Sequence, residues 1–277
     1  MENKIIAIPT LHLFQPLDEK LIELLKSLSD EDWNKPTLAK LWTVKDIAAH
    51  LLDGNVRFIS MLRDKHFGLK AENINSYQDL VDFLNGINAD WVNAMKRMSP
   101  DLLIELLEST GKQYYEEIQK LDPFEPALFS VAWAGESESQ NWFHIAREYT
   151  EKWHHQQQIR EAVGKQGIMG REFFFPLIDT LMRALPHTYR DVKAENGTMV
   201  CILVTGETGG KWSIIKENEG WKFTDASSPT ATVEIEPADS WKLLTKGLAK
   251  TEAEKRVRIT GDQVLGKKAL DMVSIMG

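Results

Sequence analysis

From about Gln15 to Ala162 the apolar residues recur at helical spacing, and beyond Gly170 they alternate in short runs between turns. Leu17, Leu21, Leu24, Leu25 and Leu28 predict a first amphipathic helix with Pro16 near its start. Thr43, with Asp46 three residues on, is placed to cap a second, which runs through Ile47, Leu51, Phe58, Ile59 and Leu62. A third is predicted from Tyr77 to Met98, where Pro100 interrupts, and a shorter accessory stretch from Asp101 to Leu121. The last and longest runs from Asn141 to Val163 and stops at Gly164. Four principal helices predict a bundle.

The second half reads differently. A helix from Phe173 to Leu185 ends at Pro186, followed by strand-like runs at Thr198–Val204, Trp212–Ile215, Trp221–Thr224 and Ala231–Ile235. Gly209-Gly210, Asn218-Glu219-Gly220 and Ser227-Ser228-Pro229 supply the turns. A helix at Ala238–Leu248, a strand at Val257–Thr260 and a closing helix from Asp262 to about Val273 complete an α+β pattern. The expected division is multidomain: an all-α four-helix bundle over 1–167 and an α+β domain over 168–277, with three glycines between 164 and 170 at the junction.

Composition narrows the function classes. The chain has 277 residues with 33 basic and 41 acidic side chains, a formal charge of −8 that argues against nucleic acid or an anionic membrane as partner. A single cysteine, Cys201, excludes an intrachain disulfide framework; it sits in an apolar run that predicts a buried, structural thiol. Met1–Pro9 is too short in apolar residues for a signal peptide, and no run approaches the ~20 apolar residues of a membrane helix. The expectation is a cytoplasmic protein, monomer or homodimer, acting on a small molecule.

The chemistry concentrates on the last helix of the first half. At about 100° per residue, His144, Glu148, Glu151, His155, Gln158 and Ala162 share one face, with Arg147 beside it. Trp142, Tyr149 and Trp153 give that helix apolar contacts on other flanks, so its polar stripe must be satisfied by a partner. Glu151 and His155, one turn apart, reach a common point; they suit Zn²⁺, Ni²⁺ or Fe²⁺, and equally an ordinary salt bridge. His50 lies beside Ile47 and Leu51 with Gly54 one turn further on, and must meet a polar group from another helix, either a shared ion or Glu151 directly. The Glu-x-x-His of di-iron bundles occurs once, at Glu151–His154, without a second copy. Of the adjacent histidines, His155 lines up with Glu148, Glu151 and Gln158; His154 points about 100° away.

These residues also carry a resemblance. Leu41-Trp42-Thr43-Val44-Lys45-Asp46-Ile47-Ala48-Ala49-His50-Leu51 resembles the W-T-V-x-D-x-x-x-H-L signature of DinB-like bundles, closest to the N-terminal domain of mycothiol-dependent maleylpyruvate isomerases. Arg147 to His155 is similar to that family's second motif, with acid and histidine four residues apart, and His155-Gln156-Gln157-Gln158-Ile159 is similar to an H-R-G-Q-I of the wider superfamily. Ala231–Glu236 and Ile259-Thr260-Gly261-Asp262 resemble a sterol-carrier-protein-like module, which follows the bundle in the isomerases too. The resemblance implies one divalent metal, zinc foremost and nickel or iron as alternatives, held by His50, Glu151 and His155 with waters completing the sphere. It further implies a low-molecular-weight thiol as cosubstrate. The family's Trp-Gly-Arg-like element is replaced here by Leu244-Thr245-Lys246-Gly247-Leu248, so Lys246 offers a point charge where a guanidinium fork is expected.

The function so implied is a metal-dependent thiol S-transferase or isomerase, with Gln158, Arg147 and Lys246 as candidate catalytic residues; Glu148 and His144 join Arg147 at the mouth or pair with it. A metal-dependent hydrolase would use the same ligands to activate water. A non-enzymatic lipid or small-molecule binder would use the second half, with Trp212, Trp221 and Trp241 lining a pocket or, alternatively, filling a core.

Overall fold

In the computed structural model residues 7–275 are described, so most of the Met1–Pro9 segment weighed above as a leader lies outside them. The chain packs as two compact units whose segments alternate in sequence. One is helical, Pro9–Glu125 with Glu151–Ile168; the other holds the sheet, Pro126–Thr150 with Met169–Ile275. Segment 126–150 thus groups with the sheet. No helix among the described residues is long and apolar enough to cross a membrane.

The helical unit is built from α1 (Phe14–Lys26), α2 (Val44–Leu62), α3 (Tyr77–Met95), α4 (Pro100–Ile118) and the second part of α5 (Asn141–Val163). Thr43 caps α2 by a full capping box. Its hydroxyl accepts from the Asp46 amide, and the Asp46 carboxylate accepts from the Thr43 amide at 2.9 Å. The stretch after Pro100 differs from expectation. It is a 19-residue helix, as long as α2, because Ser99 caps it and Pro100 occupies the first turn, where a missing N–H costs nothing. Leu103, Ile104 and Leu107 of α4 enter one core with Leu21, Leu24 and Leu25 of α1, Ile47, Leu51 and Leu52 of α2, and Ile159 of α5. α3 packs on α2 more loosely, and Trp91 donates its indole N–H to the Ala49 carbonyl at 2.8 Å.

One buried polar network crosses this core. Lys152 of α5 donates to Asp18 of α1 at 3.0 Å and to the Asn55 carbonyl oxygen of α2 at 2.9 Å, and lies over the Tyr114 ring of α4. Asn55 in turn donates to the Thr110 hydroxyl at 3.1 Å. A buried ammonium is tolerable only when paired and hydrogen-bonded in this way. The network therefore ties α5 to the other three core helices at a fixed rotation.

In the sheet unit, α6 (Arg171–Leu181) ends before the expected Leu185. A 3₁₀ turn, Met182–Ala184, leads into the short α7 (Leu185–Thr188), whose first turn holds Pro186. Strands β1 (Met199–Val204), β2 (Gly210–Glu217), β3 (Gly220–Phe223), β4 (Ala231–Ile235) and β5 (Arg258–Gly261) form one sheet in the order β3-β2-β1-β4-β5. The central β1–β4 pair is parallel and its flanking pairs antiparallel, with Cys201 opposite Thr232 and Ser213. Helix α8 (Pro237–Leu244) is followed by α9 (Lys250–Ala253) and α10 (Gln263–Lys268). Cys201 is a free, buried thiol. Trp212, Trp221 and Trp241 are all core; Trp212 donates to Asp179 at 2.7 Å and Trp221 to the Val192 carbonyl. A cavity between Ile202, Val233, Leu243 and Leu270 measures about 20 Å³, room for one water and not for a sterol or acyl chain.

Candidate metal centre

Helices α2 and α5 bring three side chains to one point. His50 lies seven residues past the Thr43 cap; Glu151 and His155 lie one turn apart on α5, whose rotation the Lys152 network holds. One ligand atom from each of His50, Glu151 and His155 falls within 4.8 Å of the other two. The two imidazole rings meet edge to face with centroids 4.7 Å apart, and His155 Nε2 sits 3.5 Å from Glu151 Oε2. His155 Nδ1 bonds Gln158 Oε1 at 2.9 Å, which sets the ring's orientation and turns Nε2 towards the cluster.

Electrostatics match the geometry. Burial, reinforced by the charge of His155 and only partly offset by Glu151, pushes the His50 imidazole well below its ordinary value, so it is neutral at pH 7. Burial alone would raise the Glu151 carboxyl; the hydrogen bond from His155 and the charges of His154, His155 and His50 outweigh it and hold it at about 2. A neutral imidazole and an ionised carboxylate are the protonation states that ligate a divalent cation. His50 Nδ1 is buried without a hydrogen-bond partner, a cost that a bound ion in this cluster would help to offset. The donor set, two nitrogens and one carboxylate with no fourth protein ligand in the group, fits a cation that keeps a position open.

Trp42 is a part of this site to which the motif comparison gave no role. Its ring lies 4.8 Å from that of His50 and 6.3 Å from that of His155, forming an apolar wall beside both. An aromatic residue just before a helix cap reads in sequence as packing, so only its nearness to both histidines shows its place. His154, with its ring 3.9 Å from that of His155, is buried and outside the three-residue group.

The remaining candidates belong to the sheet unit. Arg147 bonds His144 Nδ1 at 2.7 Å and Glu148 Oε1 at 2.8 Å, and reaches the Ser130 carbonyl. Burial, helped by the Arg147 charge and opposed by Glu148, lowers the His144 imidazole to about 4. Lys246 is exposed just after α8, in the left-handed region at φ 61°.

The comparisons with known proteins bear on the fold and the family. Solved structures of the mycothiol-dependent maleylpyruvate isomerase and of a histidine-to-alanine mutant of it each align with a TM-score of 0.54 at 11% identity. Each alignment covers 90% of this chain and 91% of the other, and at that identity it establishes the fold alone. No curated protein matches in sequence. A family model described as the mycothiol maleylpyruvate isomerase N-terminal domain matches residues 14–160, more than half the chain and the span that holds all three clustered residues. The chain therefore belongs to the mycothiol maleylpyruvate isomerase N-terminal domain family.

Proposed function

We propose that His50, Glu151 and His155 hold one divalent cation, zinc foremost, and that the protein is a metal-dependent enzyme using a low-molecular-weight thiol. The observation that carries this reading is the convergence of three ligand atoms within 4.8 Å from two helices. A bound cation would supply Lewis acidity that keeps a thiol ionised at neutral pH. His50 contributes a neutral nitrogen, Glu151 the negative charge, and His155 a nitrogen whose direction is set by Gln158. Trp42 places an apolar ring beside the two imidazoles. The reaction class is addition of a thiol sulfur to an electrophilic carbon, either retained as S-transfer or reversed after a cis–trans isomerisation. The similar solved enzyme is mycothiol-dependent, which supports mycothiol or an equivalent small thiol here.

The test is elemental analysis of the purified protein, beside His50→Ala and His155→Ala, followed by thiol titration of the Co²⁺-substituted form. One equivalent of metal in the parent and loss of it in both variants is expected, with a thiolate-to-cobalt absorption appearing on titration. Metal retained by both variants sinks the site. Metal without a thiol response, together with hydrolysis of simple esters or amides, would replace the thiol chemistry by the water-activating alternative.

A further inference from the structure

One charged group near the cluster is used by nothing described so far. Arg57 stands seven residues after His50 on α2, two helix turns on and within about 20° of the same direction around the axis. Its Nε lies 2.9 Å from Oδ2 of Asp53, one turn back, so the side chain runs along the helix towards His50. Asp53 is buried, whereas Arg57 is partly exposed. Burial raises the Asp53 carboxyl, with the Arg57 charge opposing that. A carboxylate withdrawn from water to hold one edge of a guanidinium is more than a solvated surface pair. The Nη1 and Nη2 groups make no hydrogen bond among the described residues. Between the two residues α2 carries Gly54, where an added Cβ would touch nothing within 4 Å. Glycine is costly inside a helix, and here it leaves open the strip of surface leading from His50 to the guanidinium.

We infer that Arg57, oriented by Asp53 and reached over Gly54, is an anion subsite that receives a carboxylate of a molecule bound at the His50–Glu151–His155 centre. The inference rests on the metal reading above and adds a substrate class to it: the thiol or its acceptor carries a carboxylate at a distance from the reacting atom. The two α-carbons are separated by about 10 Å along the axis, so that carboxylate sits several bonds from the sulfur or electrophilic carbon. A guanidinium with a free edge suits a carboxylate because it can offer two parallel N–H donors.

The experiment titrates Co²⁺-substituted protein with a length series of ω-mercapto carboxylic acids and the matching ω-mercapto alcohols, read by the thiolate absorption. The carboxylates should bind roughly tenfold more tightly than the alcohols at one intermediate length, and Arg57→Gln should erase that preference while leaving the alcohols unchanged. Gly54→Leu, which adds bulk into open space, should weaken the long acids and spare the shortest alcohol. A simple dicarboxylic acid without sulfur, added as a competitor, distinguishes the sources. If it displaces the long acids' advantage without displacing an alcohol thiol, the subsite serves the acceptor; if it binds only in place of the thiol, the subsite serves the thiol. Equal affinity for acids and alcohols at every length, or a preference untouched by Arg57→Gln, overturns the inference while the metal reading stands. Failure to take up Co²⁺ ends both.

Discussion

Replacing Lys152 by Met tests whether the buried network governs the helical unit. The substitution keeps the length of the aliphatic stem and removes three interactions: the ion pair with Asp18, the hydrogen bond to Asn55, and the ammonium over Tyr114. It also strands Asp18, whose side chain is about one-fifth exposed and loses its only ion-pair partner among the described residues. Breaking a buried pair from one side costs about 3 kcal/mol, most of it the charge left behind. For a folding unit of this size that corresponds to a fall in melting temperature of about 6–12 °C, measured by far-ultraviolet circular dichroism. Adding Asp18→Asn to Lys152→Met removes the stranded charge and should restore at least about 1 kcal/mol, a coupling that independent sites do not show. Because Lys152 neighbours Glu151 and Asn55 follows His50 on α2, the single variant should also bind metal less tightly than the double. Melting within about 2 °C of the parent, under 1 kcal/mol on the same scale, would refute the reasoning.

Three further outcomes follow from the geometry. Gln158→Leu removes the acceptor that orients His155 and should weaken metal binding roughly 10–100-fold, read by competition with a chelating dye, while leaving stoichiometry at one. Because the folded-state value of His144 lies at about 4, below its ordinary 6.5, the unfolded chain binds the extra proton first; stability should be intact above pH 6.5 and decline by up to about 3 kcal/mol as pH falls to 4. His144→Gln should flatten that part of the urea-midpoint profile, and an unchanged slope would show that His144 is not responsible. Thr43→Ala, which breaks the capping box of α2, should cost about 1 kcal/mol in urea unfolding without altering metal stoichiometry.

What could be read in the sequence was whatever is local. Thr43 and Asp46 state their own capping geometry, and the Glu151–His155 spacing states a shared helical face. The polar composition of α5 between apolar flanks already required buried partners, and the structure supplies Asp18 and Asn55 to Lys152, Gln158 to His155 and the Gln166 carbonyl to Arg160. Pro100 was misleading because a proline that ends one helix and one that begins the next look alike until Ser99 is recognised as the cap. The parallel pairing of β1 with β4 had no local signature, since register depends on partners distant in sequence. Trp42 and the Asp53–Arg57 pair escaped for the same reason: an aromatic before a cap and an i,i+4 ion pair are ordinary surface features until the neighbouring helix is placed beside them.

The separation of His50 from the Glu151–His155 pair by a hundred residues has a temporal consequence. During synthesis at about 5–20 residues per second, roughly 5–20 s pass between the emergence of the first imidazole and the last. Throughout that interval a nascent chain holds His50 without the carboxylate and the second imidazole that meet it in the folded protein. The three-residue cluster is complete only when α5 has left the ribosome and closed onto α2, so a chain cut short before Glu151 lacks it.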